Sequence, residues 1–267
     1  MSVAPAPSLS RPSSWRSFAT KYRILLASIV ITVPIVGVKL LLHYTGGEVV
    51  TLGSFHTSVL TGAFFVLGFI LSATIADYKE SERIPAEVAS VIQSMHDDAV
   101  SIHKLYPKFH LKRFTTQMLR IAEAFGEDVR DKKLDTQEDI HALNESFVDM
   151  EKAGVPANFI VKLKQQQAQL LRALLRVSYI QRIRFVPSAT ILARVIVVLA
   201  VSLVILTEVE PFYSGLFLVA IISLVLIYVT RLIDVISTPF QPEGHTKDDV
   251  SMFLISQTAD RLRRLQK

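Results

Sequence analysis

The apolar residues of this chain are not spread evenly. They fall in four dense blocks, Ile24–Leu42, Thr57–Ala76, Ala189–Thr207 and Pro211–Thr230, separated by polar stretches. A helix rises about 1.5 Å per residue, so roughly 20 apolar residues cross the hydrocarbon core of a bilayer. Each block meets that length. Half of the 267 residues are hydrophobic, only 20% are charged, and the mean hydropathy is +0.38, a balance foreign to an ordinary soluble domain. The absence of Cys removes a disulfide scaffold, and 10 Gly with 11 Pro are too few for a collagen-like or low-complexity chain. The sequence predicts an all-α, multi-pass integral membrane protein embedded in a lipid bilayer.

The connections between blocks set the layout. Glu208–Val209–Glu210 joins the last two blocks into an antiparallel hairpin, and His43–His56, with Gly46–Gly47 inside it, joins the first two. The stretch Asp77–Ser188 between the hairpins is too polar for lipid. This divides the chain into an N-terminal arm (1–23), a first hairpin (24–76), a polar helical insert (77–188), a second hairpin (189–230) and a C-terminal segment (231–267). The arm carries Arg11, Arg16, Lys21 and Arg23 and no acid, whereas the hairpin loops carry Glu48, Glu208 and Glu210 and no Lys or Arg. Basic residues near span ends stay on the cytoplasmic side. Both termini and the insert are therefore expected in the cytoplasm, in a cell (inner) membrane. The insert has 17 basic and 16 acidic residues, so the net charge of +5 is a topology signal and gives no reason to expect nucleic-acid binding. The Ser- and Pro-rich arm also admits a targeting-segment reading, but a flexible cytoplasmic tail accounts for its charges more simply.

Within the insert, Ile84, Val88, Val91, Ile92, Met95, Ala99, Ile102 and Leu105 follow a 3.6-residue period, so a helix over Glu80–Tyr106 continues from the second span, with Pro85 as a potential kink. Further helices are expected over Leu111–Val129, Thr136–Ala153 and Ala157–Arg182, the last with a stripe of Leu163, Leu170, Leu171, Leu174 and Leu175. Nucleotide-binding glycine loops, zinc-protease helices and nucleophile elbows are all missing, so no enzyme activity and no cofactor are expected. His96, His103 and His110 recur every seven residues without a matching carboxylate pair, which fits a polar face better than a metal centre. Lys39 and Arg194 each lie near a block end and are expected to snorkel to the headgroups.

The second block is the most informative. Ser58 and Gly62, and Gly68, Ser72 and Ala76, form rows of small residues that let helices approach closely. Thr61, Phe65 and Phe69 fall at i, i+4 and i+8 and share another face. By periodicity alone that face can touch lipid, other spans or a pore. The run Phe65–Val66–Leu67–Gly68–Phe69, however, resembles the pore helix of bestrophins. Further elements line up in order: a helical bundle, Pro187 opening the third span, Pro239–Phe240 after the fourth, and a tail with Asp249 and Asp260–Arg261. The resemblance covers about Lys21–Leu265 and is closer to bacterial-type members. It departs at Thr61, at Gln241–Pro242 and over Ala73–Tyr78.

What the resemblance implies is a homopentameric ion channel passing chloride or other small anions. Thr61, Phe65 and Phe69 would form its hydrophobic neck, and Phe159 or Ile160 a lower cytoplasmic aperture. A cation-selective channel of the same fold and a non-conducting membrane scaffold or assembly protein are the alternatives. The segment Gln241–Asp249 has too few acids for the calcium clasp of animal members. Asp248 and Asp249 are expected instead to cap a helix starting near Val250.

Overall fold

The computed structural model describes residues 22–182, 187–240 and 249–266. The arm to Lys21, the segment Gln241–Asp248 and the expectations attached to them lie outside the described residues. In order, the elements are α1 (Arg23–Thr45), β1 (Val50–Thr51), α2 (Ser54–Leu105), α3 (Leu111–Asp131), α4 (Thr136–Lys152), α5 (Ala157–Arg182), α6 (Pro187–Leu206), β2 (Thr207–Glu208), α7 (Phe212–Ile236) and α8 (Phe253–Leu265). Four helices, α1, α2, α6 and α7, are long and apolar enough to cross a membrane. They form two hairpins, so the protein is a multi-pass membrane protein. The chain divides into two compact units, one built of α1, α2 through Leu71, α6 and α7, the other of α2 from Ser72 with α3, α4, α5 and α8. The helix α2 belongs to both and is unbroken at Pro85.

In the membrane unit, α2 turns Ala63, Leu67 and Ile70 onto Ala193, Val197 and Ala200 of α6 and Leu226 and Ile233 of α7. The helix α1 is built the other way round. Its buried side chains are Ser28, Thr32 and Lys39, while Val30 and Val33 are exposed. Lipid accepts the apolar face at no cost, so what a span must hide is its polar groups. Ser28 and Thr32 satisfy themselves by donating to the carbonyls of Ile24 and Ser28, both at 2.8 Å.

Lys39 corrects the snorkelling expectation. It is only 1% exposed and is held by Glu48, with its ammonium also donating to the carbonyls of Ile205, at 3.3 Å, and Thr207. Those carbonyls belong to the junction of α6 and β2, where β1 and β2 form a two-residue parallel pair, Val50 opposite Thr207 and Thr51 opposite Glu208. One buried cation therefore ties the first hairpin loop to the second. The turn that returns Glu48 to Lys39 begins at Gly46, which ends α1 at φ +65° and lets the Gly47 amide donate to the Leu42 carbonyl at 2.8 Å. His43 stacks on Phe212, ring centroids 3.9 Å apart, and contacts the other oxygen of Glu48 at 3.1 Å.

The polar unit is a bundle around Ile92, Met95, Phe114, Met118, Phe125, Phe147, Leu163 and Leu174. Two stripe positions are corrected: Leu105, the last residue of α2, is 69% exposed and Leu175 is 45% exposed. Side chains fix the joints. Asp128 accepts the Thr136 amide at 2.7 Å and so ties α3 to the first turn of α4. Gln166, Gln167 and Gln181 of α5 donate to Ser94, the Ile140 carbonyl and the Val129 carbonyl. Phe240 is buried in this core, and the Val250 amide donates to the Pro239 carbonyl at 2.9 Å. The helix α8 begins at Phe253 rather than near Val250. Its N-cap is Met252, which makes no side-chain cap bond, while the Phe253 amide donates to Ser251 Oγ at 3.4 Å.

Removing one partner of a buried ion pair strands the other charge. Lys39→Met is expected to cost about 3–5 kcal/mol, whereas Lys39→Met combined with Glu48→Leu should recover most of that loss, read from unfolding midpoints in detergent. Burial alone pushes the Glu48 carboxyl up, but hydrogen bonds from Lys39 and His43 outweigh it and hold the group below its usual range. A depressed carboxyl stabilises the fold above its unfolded pKa, and the gain disappears as pH falls through the folded value. The unfolding midpoint should therefore drop below about pH 4, and that acid step should shrink in Glu48→Gln.

Candidate ion pathway

The membrane-spanning part of α2 has two distinct faces. Ala63, Leu67, Ile70 and Thr74 are buried, at the spacing of one helical stripe. On the other side Thr61, Phe65 and Phe69 are all exposed, the phenyls at 76% and 72%. The three neck candidates therefore do share one free face, and no ionisable residue lies between Thr57 and Ala76. Such a face offers ions no ligands. What it can do is exclude water when narrowed.

The rows of small residues also point outward. Ser58, Gly62, Gly68, Ser72 and Ala76 are exposed, and a Cβ at Gly62 or Gly68 would meet nothing within 4 Å. Among the described residues these positions do not serve helix packing. Glycine in a helix interior costs about 1 kcal/mol relative to Ala, and no contact among the described residues offsets it.

The two aperture candidates separate. Ile160 is 3% exposed and belongs to the bundle core, so it is not free to line an opening, whereas its neighbour Phe159 is 38% exposed. Arg194 also departs from expectation. It does not rely on headgroups, because its guanidinium lies 2.8 and 3.1 Å from the two carboxylate oxygens of Asp234 on α7. Sequence reasoning missed this pair, since the register between two antiparallel helices cannot be read from a short loop. It missed the Lys39–Glu48 pair too, although opposite charges flanking the Gly46–Gly47 turn were a usable signal.

The three histidines have separate surroundings. His103 Nδ1 lies 2.8 Å from the Phe109 carbonyl oxygen and closes the α2–α3 turn, and buried His96 has Asp97 3.7 Å away. Among the described residues no group of three His, Cys, Asp or Glu side chains is placed to hold a metal ion.

No protein-family description and no curated protein matches the chain. Solved structures do. A variant of the bacterial bestrophin homologue from Klebsiella pneumoniae superposes with a TM-score of 0.75 at 13% identity, covering 91% of this chain and 98% of that one. A second structure of that homologue gives 0.74 at 13% identity, with coverage of 91% and 97%. A structure described only as a membrane protein variant gives 0.73 at 13% identity, covering 95% and 99%. At this identity the likeness is one of fold, and it runs nearly the full length of both chains: this is an all-α integral membrane protein with the bestrophin fold.

Proposed function

We propose that the protein is a homopentameric ion channel, in which five copies of α2 surround one axis and pass chloride or other small anions. The observation that carries this reading is the outward face of α2, where exposed phenyls lie beside exposed glycines. Lipid does not select for glycine, whereas close approach of a neighbouring helix does. Two neighbouring copies can use the small-residue rows, leaving Thr61, Phe65 and Phe69 to ring the axis. Phe65 and Phe69 then make the narrowest part, a dry neck that conducts when it widens. Ring edges carry partial positive charge, so edges turned inward favour anions over cations. Phe159 supplies the lower aperture. The basic arm and the acid-only hairpin loops support a topology with both termini and the helical bundle in the cytoplasm, and in this reading the spans lie in the cell (inner) membrane.

In reconstituted bilayers, Phe65→Ala with Phe69→Ala should widen the neck and raise the current or make it less gated, with the oligomer intact. Unchanged current from an intact, conducting oligomer would remove both residues as the neck. Leu67→Ala, on the buried face two residues away, should instead cost about 2–5 kcal/mol of packing, lowering the unfolding midpoint. Orientation has its own test. Cys placed at Gly46 should react with an impermeant thiol reagent added outside intact cells, and Cys placed at Asp131 should not; the reverse pattern would invert the topology.

A further inference from the structure

We propose that a cavity in the helical bundle, between the last turns of α2 and the first turn of α3, binds a small soluble molecule carrying a phosphate group. The cavity has a volume of about 970 Å³, room for an organic phosphate rather than a bare ion. Its polar wall includes His96, His103, His110, Lys112 and Arg113, and its apolar wall includes Leu111 and Leu265.

Several features point to an anion. The helix α3 runs 21 residues, has no acid in its first turn and makes no side-chain cap bond at His110. The amides of Lys112 and Arg113 therefore open a positive helix end with no hydrogen-bond partner among the described residues, the arrangement that attracts phosphate. His96 supplies an independent sign. It is 6% exposed and lines the cavity, and its Nδ1 has only the Asp97 carboxylate at 3.7 Å, beyond hydrogen-bond reach, among the described residues. A polar ring so deeply buried ordinarily has a partner, and here a ligand oxygen would provide it. Lys112 is exposed and makes no ion pair among the described residues, so its ammonium is available to the same oxygens.

Arg113 is already committed, to Asp149 at 3.0 Å and to Glu145. Asp149 also lines the cavity, and this fixed pair sets the limit on the charge the site accepts. A phosphate monoester suits the remaining donors, because tetrahedral oxygens can meet two amides, an ammonium and an imidazole at once. A planar carboxylate cannot spread over that set. Leu111 and the exposed Leu265 leave an apolar surface for the organic part.

The test is calorimetric titration of the full chain in detergent with inorganic phosphate and with phenyl phosphate, at constant ionic strength. Saturable binding of one molecule per chain is expected, tighter for phenyl phosphate because of the apolar wall. Lys112→Glu should weaken binding at least roughly tenfold with no change in the unfolding midpoint, since the side chain is exposed. His96→Gln should weaken it as well. Absence of saturable binding, binding by Lys112→Glu equal to that of the unaltered protein, or equal competition by chloride would each overturn the proposal.

Discussion

The membrane unit depends on what a bilayer does not reward. Lipid tails are as apolar as Leu, so moving an aliphatic side chain from lipid to a helix interface brings no hydrophobic gain; spans hold together by close packing, and buried polar groups decide which faces meet. This explains why α1 hides Ser28, Thr32 and Lys39 and exposes its valines. Lys39 is the strongest case. A charge at that depth demands a counter-charge and further hydrogen bonds, and it finds Glu48 together with two carbonyls from the α6–β2 junction. Arg194 and Asp234 pair their charges between α6 and α7 as well, at a half-exposed position. In water the rule inverts, and the bundle buries Phe, Met, Ile and Leu conventionally, with glutamine side chains bridging its helices.

Much of this was legible in the sequence, because length and hydrophobic period are one-dimensional signals. The expectation for Ala157–Arg182 coincides with α5, and those for α3 and α4 differ from the observed ends by one or two residues. Tertiary choices were less legible. Leu105 and Leu175 fit the apolar period but stand at the margin of their stripes, where periodicity alone does not decide exposure. A strand pair two residues long leaves no pattern to detect. Lys39 read as a snorkelling cation because only the fold reveals that the second hairpin brings carbonyls to it.

The candidate site divides along the same line. The shared face of Thr61, Phe65 and Phe69 follows from helical spacing, and the opposite face, Ala63, Leu67 and Ile70, is buried as a helix of two characters requires. The sequence also showed small residues at Gly62 and Gly68, but not that a Cβ at either would meet nothing among the described residues. That fact changes their meaning from internal packing to contact with something outside the chain. Ile160 and Phe159 are adjacent in sequence and opposite in environment, a distinction that only the assembled bundle makes.

The central claim is that the free face of α2 surrounds a shared axis. Imaging the purified protein in a lipid nanodisc, viewed along the membrane normal, tests it most directly. The account predicts five copies around a central path, with α2 innermost and its Phe65–Phe69 face toward the axis. A monomer, or an oligomer in which that face of α2 lies against lipid, would contradict it.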